Sequence, residues 1–136
     1  MVPLSVLLLV ICGYLLTVFI EIPVLLLGMA RQHGIRDTMV NGLLLTAFTY
    51  PIVVMVLPAA FAAMKVDNRM MYLAVAEFFA PAAEVMFFRF LTNKPVAVAL
   101  DRDVLVIVVA NLASFLLGEA GLSQWLTEIA GKLATP

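Results

Sequence analysis

Four apolar runs, residues 2–29, 38–64, 70–90 and 104–117, take up most of the chain, and only four of its seventeen charged residues, Glu21, Glu77, Glu84 and Arg89, fall inside them. A bilayer's hydrocarbon core is crossed by about 20 helical residues. With 136 residues, 65% hydrophobic and only 12% charged, against about 25% charged in soluble domains, the chain cannot cover itself with a water-soluble surface. Four spanning helices and their connections account for the whole length, so the expected fold is all-α and polytopic, with no separate soluble domain. The net charge of −1 and the lack of a basic patch give nucleic acid nothing to bind.

Against that apolar background, acids within the runs stand out. Glu77 and Glu84 lie seven residues apart in AEFFAPAAEVMFFRF, with Pro81 between them. In a helix that spacing points both the same way, roughly 10 Å apart along the axis. Glu21 lies in the last third of the first run, two residues before Pro23, where a proline frees a carbonyl and can bend the helix. A charged carboxylate at the centre of a bilayer costs about 2.5–3.5 kcal/mol even on the lenient insertion scale.

The first run has no Lys or Arg before it and is too long for a signal-peptide core, so it reads as a retained helix over 3–28. Residues 31–37 form a polar loop in which Gly34 suits a helix C-cap and Asp37 the N-cap of the next helix; His33 reads as solvated. Thr46 and Thr49, three apart, share a face of the second helix, which is punctuated by Pro51 and Pro58. A five-residue loop, 65–69, makes helices two and three antiparallel neighbours. Residues 91–103 form the longest connection, and 96–100 are apolar enough to dip into the interface. From Leu122 the pattern changes: Leu122, Trp125, Leu126, Ile129 and Leu133 fall on one side, with Ser123, Gln124, Thr127, Glu128 and Lys132 opposite. Residues 119–136 therefore read as an amphipathic helix in the interface, with Trp125 at headgroup depth. The lone Cys12 makes no intrachain disulfide, and the eight Met are apolar filler.

Arg31, Arg36, Arg89, Lys94 and Arg102 flank the first and third connections; Lys65, Arg69 and Lys132 lie on the other side. This excess places loops 31–37 and 91–103 in the cytoplasm and both termini outside, in a bacterial inner (plasma) membrane.

Aligning Glu21 with Glu84 brings out an internal repeat. Each half reads as a helix with an acid, a basic connection, then a helix with polar residues at i and i+3: Thr46 and Thr49 in the first half, Asn111 and Ser114 in the second. Two parallel helical-hairpin repeats, about 3–64 and 70–118, would be related by an axis along the membrane normal. Counted from the cytoplasmic ends, Glu21, Thr46, Glu84 and Asn111 lie about 7–15 Å deep, so a bundle would gather them, with Thr49 and Ser114, at one level. Glu77 lies further out and corresponds to Tyr14, which breaks the symmetry.

The early Glu, the T-x-x-T-x-P segment from Thr46 to Pro51, and the pair Glu77 and Glu84 followed by A-N-L-A-S-F-L-L-G resemble small four-helix bacterial membrane proteins of about this length. In that group the first polar residue of the T-x-x-T-x-P segment is more often Asn; Thr46 departs from it. The resemblance covers most of residues 15–118 and implies the fold, with no activity attached.

Three acids, hydroxyls and an amide on facing helices form a hard-oxygen set. It suits Mg²⁺, Ca²⁺, Mn²⁺ or Na⁺ and does not select zinc or copper. Glu84 and Glu77 could instead carry protons along one helix face. The structural alternative is that Glu21, Glu77, Glu84, Thr46, Thr49, Asn111 and Ser114 bond helices together, with Glu84 paired to Arg89 or Arg31 by snorkelling. No HExxH, GxSxG or second histidine points to catalysis. The expectation is a cation- or proton-binding transporter or channel-like protein, as a homo-oligomer in the bilayer and with no resident cofactor. The alternatives are a non-catalytic subunit of a membrane complex, or a binder of lipid or another hydrophobic ligand.

Overall fold

The structure, a computed structural model, describes residues 4–93 and 101–134. Within them every regular element is helical: α1 (Leu4–His33), α2 (Ile35–Pro51), a π-helical turn (Ile52–Val56), α3 (Leu57–Ala63), α4 (Arg69–Leu91) and α5 (Arg102–Ala134). Among the described residues, three stretches are long and apolar enough to cross a membrane: Val10–Met29, Ile35–Ala63 and Arg69–Leu91.

α1 packs on α2 and α5, and α4 packs on the same two helices, which gives a ring in the order α1, α2, α4, α5. Glycine allows two close approaches. A β-carbon on Gly28 would run into Val106 of α5, and one on Gly42 into Ile22 and Leu25 of α1. The outer face is apolar, with Phe19 77% and Leu27 84% exposed, whereas Glu21 and Glu84 are 2% and 3% exposed. A water-soluble protein has the opposite arrangement; this one matches a lipid surround.

The first connection is shorter than its polar composition suggests. Helix α1 continues through Arg31 to His33, and α2 begins at Ile35. Gly34 alone turns the chain, at φ 79°, a conformation that glycine adopts without strain. Asp37 is therefore not the N-cap of α2. It lies in the first helical turn, where a carboxylate faces the positive end of the helix dipole. Asn68 caps α4 by accepting from Met71 N, and Asp101 caps α5 by accepting from Val104 N at 3.1 Å.

The wide turn after Pro51 follows from two prolines. Leu57 N–H bonds to Ile52 O, five residues back, which takes away the α-helical donor for Val53 O. The next candidate, residue 58, is proline and has no N–H. Tyr72 on α4 fills the gap, its hydroxyl donating to Val53 O at 3.0 Å.

Helix α5 runs unbroken from Arg102 to Ala134, through the boundary expected near 118–122. The side chains of the expected interfacial face from Leu122 on, Trp125 included, lie outside the described residues, as does the apolar segment 96–100.

Candidate functional site

The six polar residues assigned to one level form one hydrogen-bonded layer across the ring. Glu21 on α1 accepts from Thr46 Oγ on α2 at 2.7 Å and from Ser114 Oγ on α5 at 2.7 Å. Glu84 on α4 accepts from Thr49 Oγ on α2 at 2.8 Å and from Asn111 Nδ2 on α5 at 2.7 Å. Each acid thus ties its own helix to both neighbours. Buried polar groups are tolerated when they are bonded in this way, and in lipid, where no water substitutes, the requirement is stricter.

Helical periodicity explains the convergence. Thr46 and Thr49 are three apart, so both face inward, while a turn of α2 separates the acids they reach. The same holds for Asn111 and Ser114 on α5. The bonds to Glu21 span 25 and 93 residues, and those to Glu84 span 35 and 27. In each case one bond falls within a sequence half and the other crosses between halves.

Glu84 therefore pairs with neither Arg89 nor Arg31. Arg89 Nη2 donates to Asp101 Oδ2 at 2.9 Å, at the far end of α4. Glu77 is set apart from the layer, half-buried, on the same wall of α4. It lines a cavity of about 130 Å³ together with Glu21, Glu84 and the four layer donors, and with Thr17, Tyr50, Pro81 and Phe115. Among the described residues no Lys, Arg or His lines it.

The cavity is continued on one side and blocked on the other. Toward the 64–68 loop a second space of about 210 Å³ shares Thr17, Tyr50, Ala76, Glu77, Ser114 and Phe115 with the first and continues to Gly13, Tyr72 and Gly118. Gly13 leaves room there for the Tyr50 hydroxyl, which a β-carbon would strike. Toward Gly34 the bundle is filled by Leu25, Met29, Leu45, Phe88, Ile107 and Ala110, all buried and in mutual contact. This apolar plug occupies the two turns of α1 after Glu21, about 12 Å at 1.5 Å per residue.

Beyond the plug is a polar cluster that sequence reasoning missed. His33 Nε2 lies 3.1 Å from Asp103 Oδ2, joining the end of α1 to the start of α5, and its ring meets Phe88 edge-on at 5.4 Å. His33 is therefore a packed, paired side chain and not a solvated one. Nothing local marks the pair, since 70 residues separate its members.

No family model, curated protein or solved structure matches this chain. Chemically, the site offers three carboxyl groups and hydroxyl and amide donors, with aromatic edges at its mouth. Among the described residues no three His, Cys, Asp or Glu side chains converge as a metal-ligand set.

Proposed function

We propose that the protein is a small integral membrane transporter or channel-like protein that takes up a cation or protons at the Glu21–Glu84 layer, with Glu77 on the approach. The observation that carries this reading is the cavity itself: three acids with no basic residue among the described lining, continued on one side and sealed by apolar packing on the other. Acids are the most expensive choice for bonding membrane helices together, and Ser, Thr and Asn alone would serve that purpose.

The proposal includes four crossings, with α5 as the fourth, and two parallel hairpin repeats. Support for the repeat comes from burial as well as sequence. The buried positions of α2 are Thr38, Gly42, Leu45, Thr46 and Thr49. Moved on by 65 residues they become Asp103, Ile107, Ala110, Asn111 and Ser114, of which the first four are buried and the last half-buried. An even number of crossings puts both termini on one side, and the Lys and Arg balance puts that side outside, in a bacterial inner membrane. The cavity then faces outward and the plug faces the cytoplasm. The kinship with small four-helix bacterial membrane proteins belongs to this reading.

The test is thermal unfolding of the purified protein in detergent across pH and a panel of Mg²⁺, Ca²⁺, Mn²⁺, Na⁺ and K⁺, with wild type beside Glu84→Gln and Glu77→Gln. A ligand that binds only the folded state adds about 2.7 kcal/mol at 100 times its Kd. Selective stabilisation by one ion, or a pH response, that is lost in Glu84→Gln supports the reading. A wild type indifferent to every ion and to pH, with variants of equal stability, favours a non-catalytic subunit whose acids only bond helices.

A further inference from the structure

Three of the four donors in the layer are hydroxyls that also reach a second acceptor. Thr46 Oγ is 2.7 Å from Glu21 Oε2 and 3.0 Å from Gly42 O. Ser114 Oγ is 2.7 Å from Glu21 Oε1 and 2.9 Å from Asn111 O. Thr49 Oγ is 2.8 Å from Glu84 Oε1 and 3.1 Å from Leu45 O. A hydroxyl has one proton to donate and two lone pairs to accept with. Opposite a carboxylate it donates to the acid. Opposite a carboxylic acid it turns its proton to the helix carbonyl and accepts the acid's O–H. Both states leave the acid and the hydroxyl bonded, and no heavy atom moves.

Asn111 behaves differently. Its amide nitrogen donates one N–H to Glu84 Oε2 at 2.7 Å and the other to Ile107 O at 3.0 Å. The nearby carbonyl fixes this orientation, because a flipped amide would set oxygen against oxygen. An amide nitrogen does not accept, so a proton on Glu84 sits on Oε1, facing Thr49. Glu21 has a rotatable hydroxyl at both oxygens. The N–H of Asn111 thus occupies Oε2 of Glu84 and leaves Oε1 as the oxygen that takes a proton.

We propose that the Glu21–Glu84 layer binds protons: Glu21 is the carboxyl through which they exchange, and Glu84, clamped by Asn111, is the one that holds a proton. This rests on the reading of the cavity as a cation or proton site and narrows it. Thr46, Thr49 and Ser114 are positioning residues whose rotation accommodates either charge state. A transferred proton leaves one carboxyl oxygen and forms one O–H bond on the next acceptor.

Infrared spectroscopy of the full-length protein in lipid, stepped through pH in H₂O and D₂O, tests this. Two protonated-carboxyl stretches are expected, one lost in Glu21→Gln and the other in Glu84→Gln. The Glu21 stretch takes up deuterium first. Asn111→Leu moves the Glu84 stretch to higher frequency, because its carbonyl oxygen loses a donor. Thr49→Val changes the deuterium response of the same band, and Thr49→Ser restores it. Absence at neutral pH of any protonated-carboxyl stretch that Glu21→Gln or Glu84→Gln removes overturns the inference, since solvated acids protonate only in the acid range. If a hard cation then raises the melting temperature of wild type but not of Glu84→Gln, the cation reading stands without it; if none does, both fall. Equal exchange at the two acids, with no response to Asn111→Leu, overturns the separate roles.

Discussion

At the scale of the residue, the layer offers a way to tell acids kept for a ligand from acids kept as glue. Thr46, Thr49 and Ser114 each have a helix carbonyl within reach, so removing an acid strands none of their hydroxyl protons. Glu21→Gln, whose amide can donate to the same hydroxyls, is expected to unfold within about 1 kcal/mol of wild type, while any ion or pH response of stability attributable to Glu21 disappears. Chemical denaturation in detergent, followed by circular dichroism, checks this; a loss well beyond that range would mark Glu21 as a structural tie. The six members of the layer were legible in the sequence because each is polar in an apolar run and their spacings repeat. Their reciprocal pairing was not, because it depends on how helices from the two halves interleave. His33 was misread for the same reason: its partner Asp103 lies 70 residues away, and no local pattern carries that contact.

At the scale of the element, the π-helical turn and the glycine contacts each make a prediction. Tyr72 bonds to Val53 O because Pro58 offers no N–H. Tyr72→Phe should cost about 0.5–1.5 kcal/mol. In a Pro58→Ala background, where residue 58 has regained a donor, the cost should shrink toward zero, so a double-mutant cycle isolates the coupling. Additive effects would refute this account of the turn. Gly42→Val should cost about 1–3 kcal/mol by overpacking α1 against α2, whereas Gly118→Ala, with open space around its β-position, should cost far less; melting temperatures of the two variants decide it. The prolines announced bends in the sequence. The π turn itself was hidden, since it needs both the missing donor at 58 and a tyrosine from another helix. The loop at 31–37 was overestimated because polar residues were taken for non-helical ones, although Gly34 alone reverses the chain.

At the scale of the whole molecule, the central claim is directional: an acidic cavity continued toward the 64–68 loop and closed toward Gly34 by the plug of Leu25, Met29, Leu45, Phe88, Ile107 and Ala110. Composition foretold a membrane protein, and run lengths foretold four crossings, of which three correspond, among the described residues, to helices long and apolar enough to span one. The plug was not foreseen, because apolar residues facing the core and apolar residues facing lipid look alike in a sequence this hydrophobic. Only the glycine contacts and the polar layer distinguish the two faces. The most direct measurement is labelling of a cysteine at Ala80, which lines the cavity beside Pro81, made as Ala80→Cys in a Cys12→Ser background, with a membrane-impermeant thiol reagent applied to sealed vesicles of each orientation. Modification from the side of the 64–68 loop, with protection from the Gly34 side, is the predicted result. Equal modification from both sides, or modification from the Gly34 side alone, would contradict the closed plug and with it the one-sided site.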